Sequence, residues 1–437
     1  MMKRNKYLVL LMLWVITLPG IAGEILSLDQ CLKQTLQNNF SIKIAQEESN
    51  LSKNNNRPGN AGMLPDLSAS AAYQNSSNNT RQQFVDGREI NRDGAQSTNL
   101  NGGIALNWTL FDGMQMFVER SKLKDLEALG ELDYKLKVEN TVAALMTQYY
   151  EAVRIKYLLQ FQQQQNDILT TRKNYVTNRF NAGLGTKMDV LQTEVDQNSG
   201  QMNLLALQQQ YKSALFTLHL LMGLKGEPDY EVETNLPEPM ILEEVSLEKS
   251  MKEKNTELKS AAMRVGLSEK EIKKLRGQQL PRLGLNRGYN YARNTAEAGF
   301  LLSNQNLGFN YGLTASVPLF TGWMNRTKIQ NAQINRKAEQ LRMEESKLSK
   351  ELGLKQALAN LKSLREMLPV IQKNLSLAKE VSLIAEDRYK SGSSTILELR
   401  EAEQTAFKAA VDLAALQVNI KKEEVLLLQL TGALLKN

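Results

Sequence analysis

The sequence predicts a mainly α-helical chain, duplicated within itself, that also carries four strands of membrane-crossing length. Three observations predict this. Landmarks return 209 positions later with no insertion or deletion: Leu110-Phe111-Asp112-Gly113 becomes Leu319-Phe320-Thr321-Gly322, Arg179-Phe180-Asn181-Ala182-Gly183 becomes Arg388-Tyr389-Lys390-Ser391-Gly392, and Leu221-Met222-Gly223 becomes Leu430-Thr431-Gly432. Between the first and second glycine landmarks lie about 66 residues, proline-free in the first copy, which as continuous helix reach about 100 Å. After each Leu-Pro pair (Leu64-Pro65, Leu280-Pro281) the hydrophobic pattern switches to period two. A repeat covering nearly the whole chain argues for one pseudo-symmetric unit rather than a string of globular domains.

Composition agrees with long helices. The 437 residues are 42% hydrophobic but only 6% aromatic, with 9 prolines, which is helix-former usage with little to fill a thick core. The formal charge of +7 includes Lys3, Arg4 and Lys6; elsewhere acids and bases alternate, as in Lys421-Lys422-Glu423-Glu424. That pattern describes solvated helix faces and excludes a nucleic-acid stripe.

Residues 1–22 read as a secretory signal peptide: a basic start, an apolar run from Tyr7 to Leu18, and a small-x-small site at Gly20-Ile21-Ala22. With Cys31 as its one cysteine, the exported chain makes no internal disulfide.

The first repeat is expected over 23–223 and the second over 246–437, joined by a linker at 224–245 that holds Pro228 and Pro237 and one short strand around Tyr230 to Thr234. Strands are expected at about 65–78, 99–110, 281–293 and 307–319. In the last, Leu307, Phe309, Tyr311, Leu313, Ala315, Val317 and Leu319 alternate with small or polar residues. Polar loops from Asn75 to Asn99 and from about Asn294 to Asn306 separate each pair. Strands of about 10 residues suit a tilted bilayer crossing, and a small polar face suits a water-filled lumen. Four strands cannot close a barrel without leaving an edge in lipid, so several copies must pool them; three copies give twelve.

Long helices follow at 113–181 and 322–390, and shorter return helices at 186–222 and 395–432, with Thr186 and Thr395 as N-caps. Leu361, Leu364, Leu368, Ile371, Leu375 and Ala378 step by three and four, the spacing of a coiled-coil seam. Pro369 lies within that run and should bend the helix or loosen a turn. No constellation for catalysis, a cofactor or a metal is present: the single histidine, His219, corresponds to Leu428 and reads as a helix contact.

Taken together, the Ser-Leu openings of each half, the Leu-Pro pairs, the Leu-Phe-x-Gly corners and the duplicated Arg-Phe/Tyr-x-x-Gly-x-x-Thr tips resemble the TolC family of outer-membrane efflux channels. The resemblance implies a homotrimer with a twelve-stranded β-barrel in the outer membrane of a Gram-negative bacterium, continuous with a long α-helical barrel through the periplasm. It further implies a passive exit channel in a tripartite efflux or type I secretion-like system, partnered by a periplasmic membrane-fusion adaptor and an inner-membrane transporter of RND or ABC type. By the same resemblance Ala182, Gly183, Leu184, Ser391, Gly392 and Ser393 match adaptor-docking tips. Glu398 and Glu401 match an acidic constriction, and Asp189 and Tyr389 a pair holding the closed tip. Ser394 stands where a basic residue is common, which implies a hydrogen-bonded rather than a salt-bridged lock. The competing reading is a periplasmic coiled-coil adaptor or scaffold without a barrel.

Overall fold

The computed structural model describes residues 24–234, 239, 244–299 and 301–435. The expected signal peptide and most of the linker's proline-rich part lie outside the described residues. In chain order the elements are β1 (Glu24–Leu26), α1 (Leu28–Asn38), α2 (Phe40–Asn55), β2 (Asp66–Gln83), β3 (Glu89–Phe111), α3 (Gln115–Asn181), α4 (Lys187–Met222), β4 (Tyr230–Val232), α5 (Glu244–Lys254), α6 (Thr256–Gly277), β5 (Arg282–Ala296), β6 (Ser303–Ser316), α7 (Met324–Lys390) and α8 (Ile396–Leu430).

Local chemistry sets the boundaries twice over. Asn39 and Asn255 head α2 and α6, each accepting through Oδ1 from a backbone amide three residues on, Ile42 at 3.1 Å and Leu258 at 2.9 Å. At the strand-to-helix corners the backbone turns left-handed at two successive residues, Gly113 and Met114 (φ 73° and 70°) and again Gly322 and Trp323 (61° and 65°). A positive φ is unusual for Met or Trp. Its recurrence makes the corner a property of the repeat.

The chain divides into two compact units. One comprises residues through Thr35, Gln148–Glu238 and Asn374–Val418. Here β1 pairs in parallel with β4, Ile25 opposite Glu231, and Tyr149 donates its hydroxyl to the Leu26 carbonyl at 3.1 Å. His219 is buried and stacks on Tyr230, ring centroids 5.9 Å apart, so it does pack as a helix contact. On α8, Ala402, Ala406, Ala410 and Ala414 are all buried, a row of small side chains every fourth residue that lets a neighbouring helix approach closely. Phe161, Leu375 and Ala410 pack together there with Phe407 and Leu413.

The other unit comprises Leu36–Thr147, Pro239–Lys373 and Asn419–Asn437. Its sheet runs β2-β3-β5-β6, all antiparallel. Register places the apolar positions of adjacent strands opposite one another: Ala69 with Ile104, Ile104 with Tyr289, Tyr289 with Phe309. The face so formed is exposed, with Tyr73, Phe309, Tyr311 and Leu313 each at least 70% accessible. The opposite face is small and amide-rich. Asn290 donates to Asn310 at 3.1 Å, and a Cβ at Gly103 would fall on the Asn290 amide oxygen.

Below the sheet, α6 lies antiparallel to α3, joined by a ladder of ion pairs: Glu119–Lys274 (2.8 Å), Lys122–Glu271 (2.7 Å), Asp125–Lys270 (2.5 Å) and Asp133–Arg264 (3.4 Å). Buried Glu139 accepts from Thr256 Oγ1 at 3.0 Å, and burial raises the Glu139 carboxyl above the usual range.

Two expectations are corrected. Much of the region expected as a polar loop from Asn75 to Asn99 is strand, because β2 and β3 continue their ladder to Gln83 and Glu89 with one irregularity at Asn78/Thr80. Cross-strand hydroxyls such as Ser76 and Ser97, 2.8 Å apart, pair within that extension. Polar residues on both faces hide a strand from a period-two reading. By contrast β6 begins earlier than expected, at Ser303, and stops at Ser316; Pro318 has no amide to donate. α7 holds Pro369 inside a single helix of 67 residues.

At the corner, a Cβ on Gly113 would fall on the Gly277 carbonyl oxygen, and the left-handed φ adds strain. Gly113→Ala should therefore cost about 2–4 kcal/mol. Gly266, inside α6 with open space around it, should gain roughly 0.5–1 kcal/mol on replacement by Ala. Thermal melting of both variants checks the pair; equal destabilisation would contradict the close approach at Gly113.

Candidate functional site: the two helical tips

Each repeat ends its long helix in the same turn. Gly183 N–H donates to Phe180 O and Leu184 N–H to Arg179 O, both at 2.9 Å; in the second repeat Gly392 donates to Tyr389 O at 3.0 Å and Ser393 to Arg388 O at 2.8 Å. These are paired Schellman closures, with left-handed glycines at φ 75° and 79°. An arginine locks each: Arg179 Nη2 donates to the Leu184 carbonyl at 3.2 Å and Arg388 Nη2 to the Ser393 carbonyl at 3.1 Å. The turn residues Ala182, Gly183, Leu184, Ser391, Gly392 and Ser393 are all exposed. Leu184 and, one turn on, Met188 are apolar side chains presented to solvent.

The return helices start from threonine caps. Thr186 and Asp189 form a reciprocal capping box, Asp189 N–H donating to Thr186 Oγ1 at 3.1 Å and Thr186 N–H to Asp189 Oδ2 at 3.3 Å. In the second repeat Glu398 N–H donates to Thr395 Oγ1 at 3.3 Å, while the Glu398 carboxylate accepts from Ser394 Oγ at 2.7 Å. The Ser394 hydroxyl is thus engaged within its own tip. Glu398 and Glu401 are exposed and one turn apart, away from the buried row of Leu399, Ala402 and Ala406.

The tip pair Asp189 and Tyr389 is brought into electrostatic range. Burial raises the Tyr389 hydroxyl above its ordinary value and the negative Asp189 raises it further, while Arg179 and Arg172 oppose both. Tyr175 then ties α3 to the end of α7, its hydroxyl donating to the Lys390 carbonyl at 3.0 Å.

Sequence reading missed four charged residues behind the tips. Arg172 is buried and pairs with Glu403. Asp196, also buried, accepts from Gln192 Nε2 at 3.2 Å and lies 3.6 Å from Arg400 Nε. Burial lowers the Arg172 guanidinium below its usual range, and Asp196, Glu386 and Tyr389 counter that. The set joins α3, α4 and α8, and Asp196, Arg400 and Glu403 line a groove with Gln162, Asn203 and Phe407. A buried ion pair adds little net stability but is costly to break, so the set fixes where α8 sits. On helices so rich in charge, only burial distinguishes Arg172, Asp196 and Glu403 from solvated neighbours. Among the described residues no cluster of metal-ligating side chains occurs, and no helix is long and apolar enough to cross a membrane.

Comparison with known proteins bears on what this arrangement does. The chain is 21% identical over 370 residues to outer membrane protein TolC of Escherichia coli, covering 82% of this chain and 72% of that one. Its fold is similar to that of the outer membrane protein VceC of Vibrio cholerae (TM-score 0.74, 17% identity, 93% of this chain and 96% of that one). It is similar as well to the outer membrane channel CmeC of Campylobacter jejuni (TM-score 0.79, 15% identity, 93% and 85%). A scaffold without a barrel has no use for an exposed apolar sheet face, and that alternative falls. The model of the outer membrane efflux protein family matches residues 31–224 and 247–433; the chain belongs to that family, and it is an outer-membrane exit channel for efflux or secretion whose helices extend into the periplasm.

Proposed function

We propose that three copies form the working channel, a twelve-stranded barrel continuing into a helical tunnel, through which substrates pass passively from an inner-membrane transporter of RND or ABC type. The observation that carries this is the sheet: four strands with one largely apolar face, interrupted on β5 by Arg287 and Arg293, and two open edges, β2 and β6. An open edge in lipid leaves backbone amides and carbonyls unsatisfied, so the sheet must be completed by further strands. The helices repeat the message. On α7, Met367, Val370, Leu377, Val381 and Ile384 stay exposed at heptad spacing, alongside the already buried seam at Leu361 and Leu375.

The paired tips, at Ala182, Gly183 and Leu184 and at Ser391, Gly392 and Ser393, dock a periplasmic membrane-fusion adaptor. Their support is geometric: two turns of one design, rigidly closed and left exposed. Glu398 and Glu401, three copies of each, ring the constriction and favour cations there. Asp189 and Tyr389 hold the closed tip, with Arg172 and Glu403 fixing α8 behind them.

Replacing Glu398 and Glu401 together by Ala should lower the ratio of cation to chloride permeability roughly tenfold in planar bilayers; an unchanged reversal potential under a salt gradient would remove them from the pore. Glu403→Ala strands the buried Arg172 and should cost about 3–5 kcal/mol, seen as a lower melting temperature together with larger single-channel conductance. A melting loss without any conductance change would assign the pair to folding alone.

A further inference from the structure

The apolar face of the sheet carries two arginines. Register places Arg287 in a row with Leu67, Leu106 and Tyr311, and Arg293 in a row with Tyr73, Leu100 and Gln305. Both are exposed, and neither side chain has an ion pair, a hydrogen bond or a ring contact among the described residues. Around the polar extension of β2 and β3 the arginines are instead held by acids of the chain: Arg81 lies 4.0 Å from Glu89, Arg88 2.7 Å from Asp86 and Arg92 3.5 Å from Glu297. Between the rows of Leu283 and Thr295 no Asp or Glu stands on the apolar face. The first acid further along the chain from Arg293 is Glu297, which Arg92 already engages and which accepts from the Gln96 amide at 3.2 Å. A cation among apolar side chains is costly without a counter-charge, so the counter-charge comes from outside the chain.

The height of Arg293 says which anion that is. One row further along, the face turns wholly polar, with Asn75, Thr98, Thr295 and Ser303 side by side. One row back it is Ala71, Gly102, Tyr291 and Leu307. Arg293 therefore stands on the margin of the apolar band, beside Tyr73 and Tyr291, where aromatic side chains gather at a membrane interface. Leu283 marks the other margin, paired with Phe111 just before the corner at Gly113. Ten residues separate Leu283 from Arg293, about 34 Å along a strand. At the usual barrel tilt that rises about 25 Å, the height of the apolar band. Since the helices leave the sheet at the Leu283 margin, Arg293 lies at the outer one, level with the head groups of the outer leaflet.

We infer that Arg293 anchors a phosphate of an outer-leaflet glycolipid whose acyl chains lie down the apolar face. The inference rests on the barrel proposed above and deepens it by naming the lipid class and the residue that takes it. A phosphate monoester on a sugar carries up to two negative charges and no covering ammonium, and a guanidinium offers it two parallel N–H donors. Gln305 sits directly opposite Arg293 on β6, with Cβ atoms of such pairs about 5 Å apart, and its side-chain amide adds a further donor. The Thr295 and Ser303 hydroxyls stand one row nearer the head group. Because β5 lies between β3 and β6 of the same chain, each copy holds the whole site. Arg287 cannot share that head group. It lies six residues back on the strand, about 20 Å away, and its nearer margin is the periplasmic one, toward which its long stem can reach.

Native mass spectrometry of the full-length protein in mild detergent, with bisphosphorylated lipid A added as the probe, tests the site. Both arginines are exposed and unpaired, so neither replacement threatens the folded sheet. Arg293→Gln should retain about tenfold less lipid A than the wild-type chain, Arg293→Lys an intermediate amount and Arg287→Gln the wild-type amount. Lipid A stripped of its phosphates should bind the wild-type chain no better than the intact probe binds Arg293→Gln. Equal retention by the wild-type chain and Arg293→Gln, or an equal loss with Arg287→Gln, overturns the site. Displacement of lipid A by an equal amount of phosphatidylglycerol overturns the glycolipid assignment. Flotation of vesicles carrying the same variants reports membrane insertion separately. A wild-type chain that does not float overturns the barrel, and this inference with it; one that floats but shows no dependence on Arg293 overturns this inference alone.

Discussion

Everything in this molecule follows from backbone hydrogen bonds that one chain cannot complete. Inside a bilayer no water is available to an unpaired amide or carbonyl, and a strand edge that water would tolerate becomes expensive. The sheet has apolar side chains on one face and small or amide side chains on the other. It is therefore fitted to two solvents at once, and its two outer strands are fitted to neither until they meet others. Helices carry the same incompleteness in a milder form, as apolar rows awaiting a partner in water rather than in lipid.

Duplication shapes how that incompleteness is resolved. Corners, caps and tips recur with the same φ signs and the same donors and acceptors, so each repeat reproduces a fixed local geometry. What differs between the repeats is side-chain chemistry laid over it: Asp189 accepts from its own capping threonine, whereas Glu398, one carbon longer, takes the Ser394 hydroxyl. Proline is accommodated at 369 where the first repeat has Gln160, and the two long helices keep the same length of 67 residues although their interiors differ.

Legibility in the sequence tracks how local the determining physics is. Turns at Gly183 and Gly392 could be read because a left-handed residue needs glycine, and helix starts because Thr186 and Thr395 precede regular apolar spacing. The seam from Leu361 to Ala378 was visible for the same reason. Three other features had no local signature. β1 is three residues long and exists through pairing with β4, some two hundred positions away; the upper halves of β2 and β3 are polar on both faces. Arg172, Asp196 and Glu403 differ from dozens of surface charges only in being covered. The tips could thus be located from sequence, while the charges that hold them in place needed three dimensions.

Gly113 and Gly277 meet where neither has room for a Cβ, each built carbon falling within 2.5 Å of the other's carbonyl oxygen. That contact is backbone against backbone, so it works as a rivet: side chains can be exchanged all round it without shifting the point at which the start of α3 and the end of α6 are pinned together.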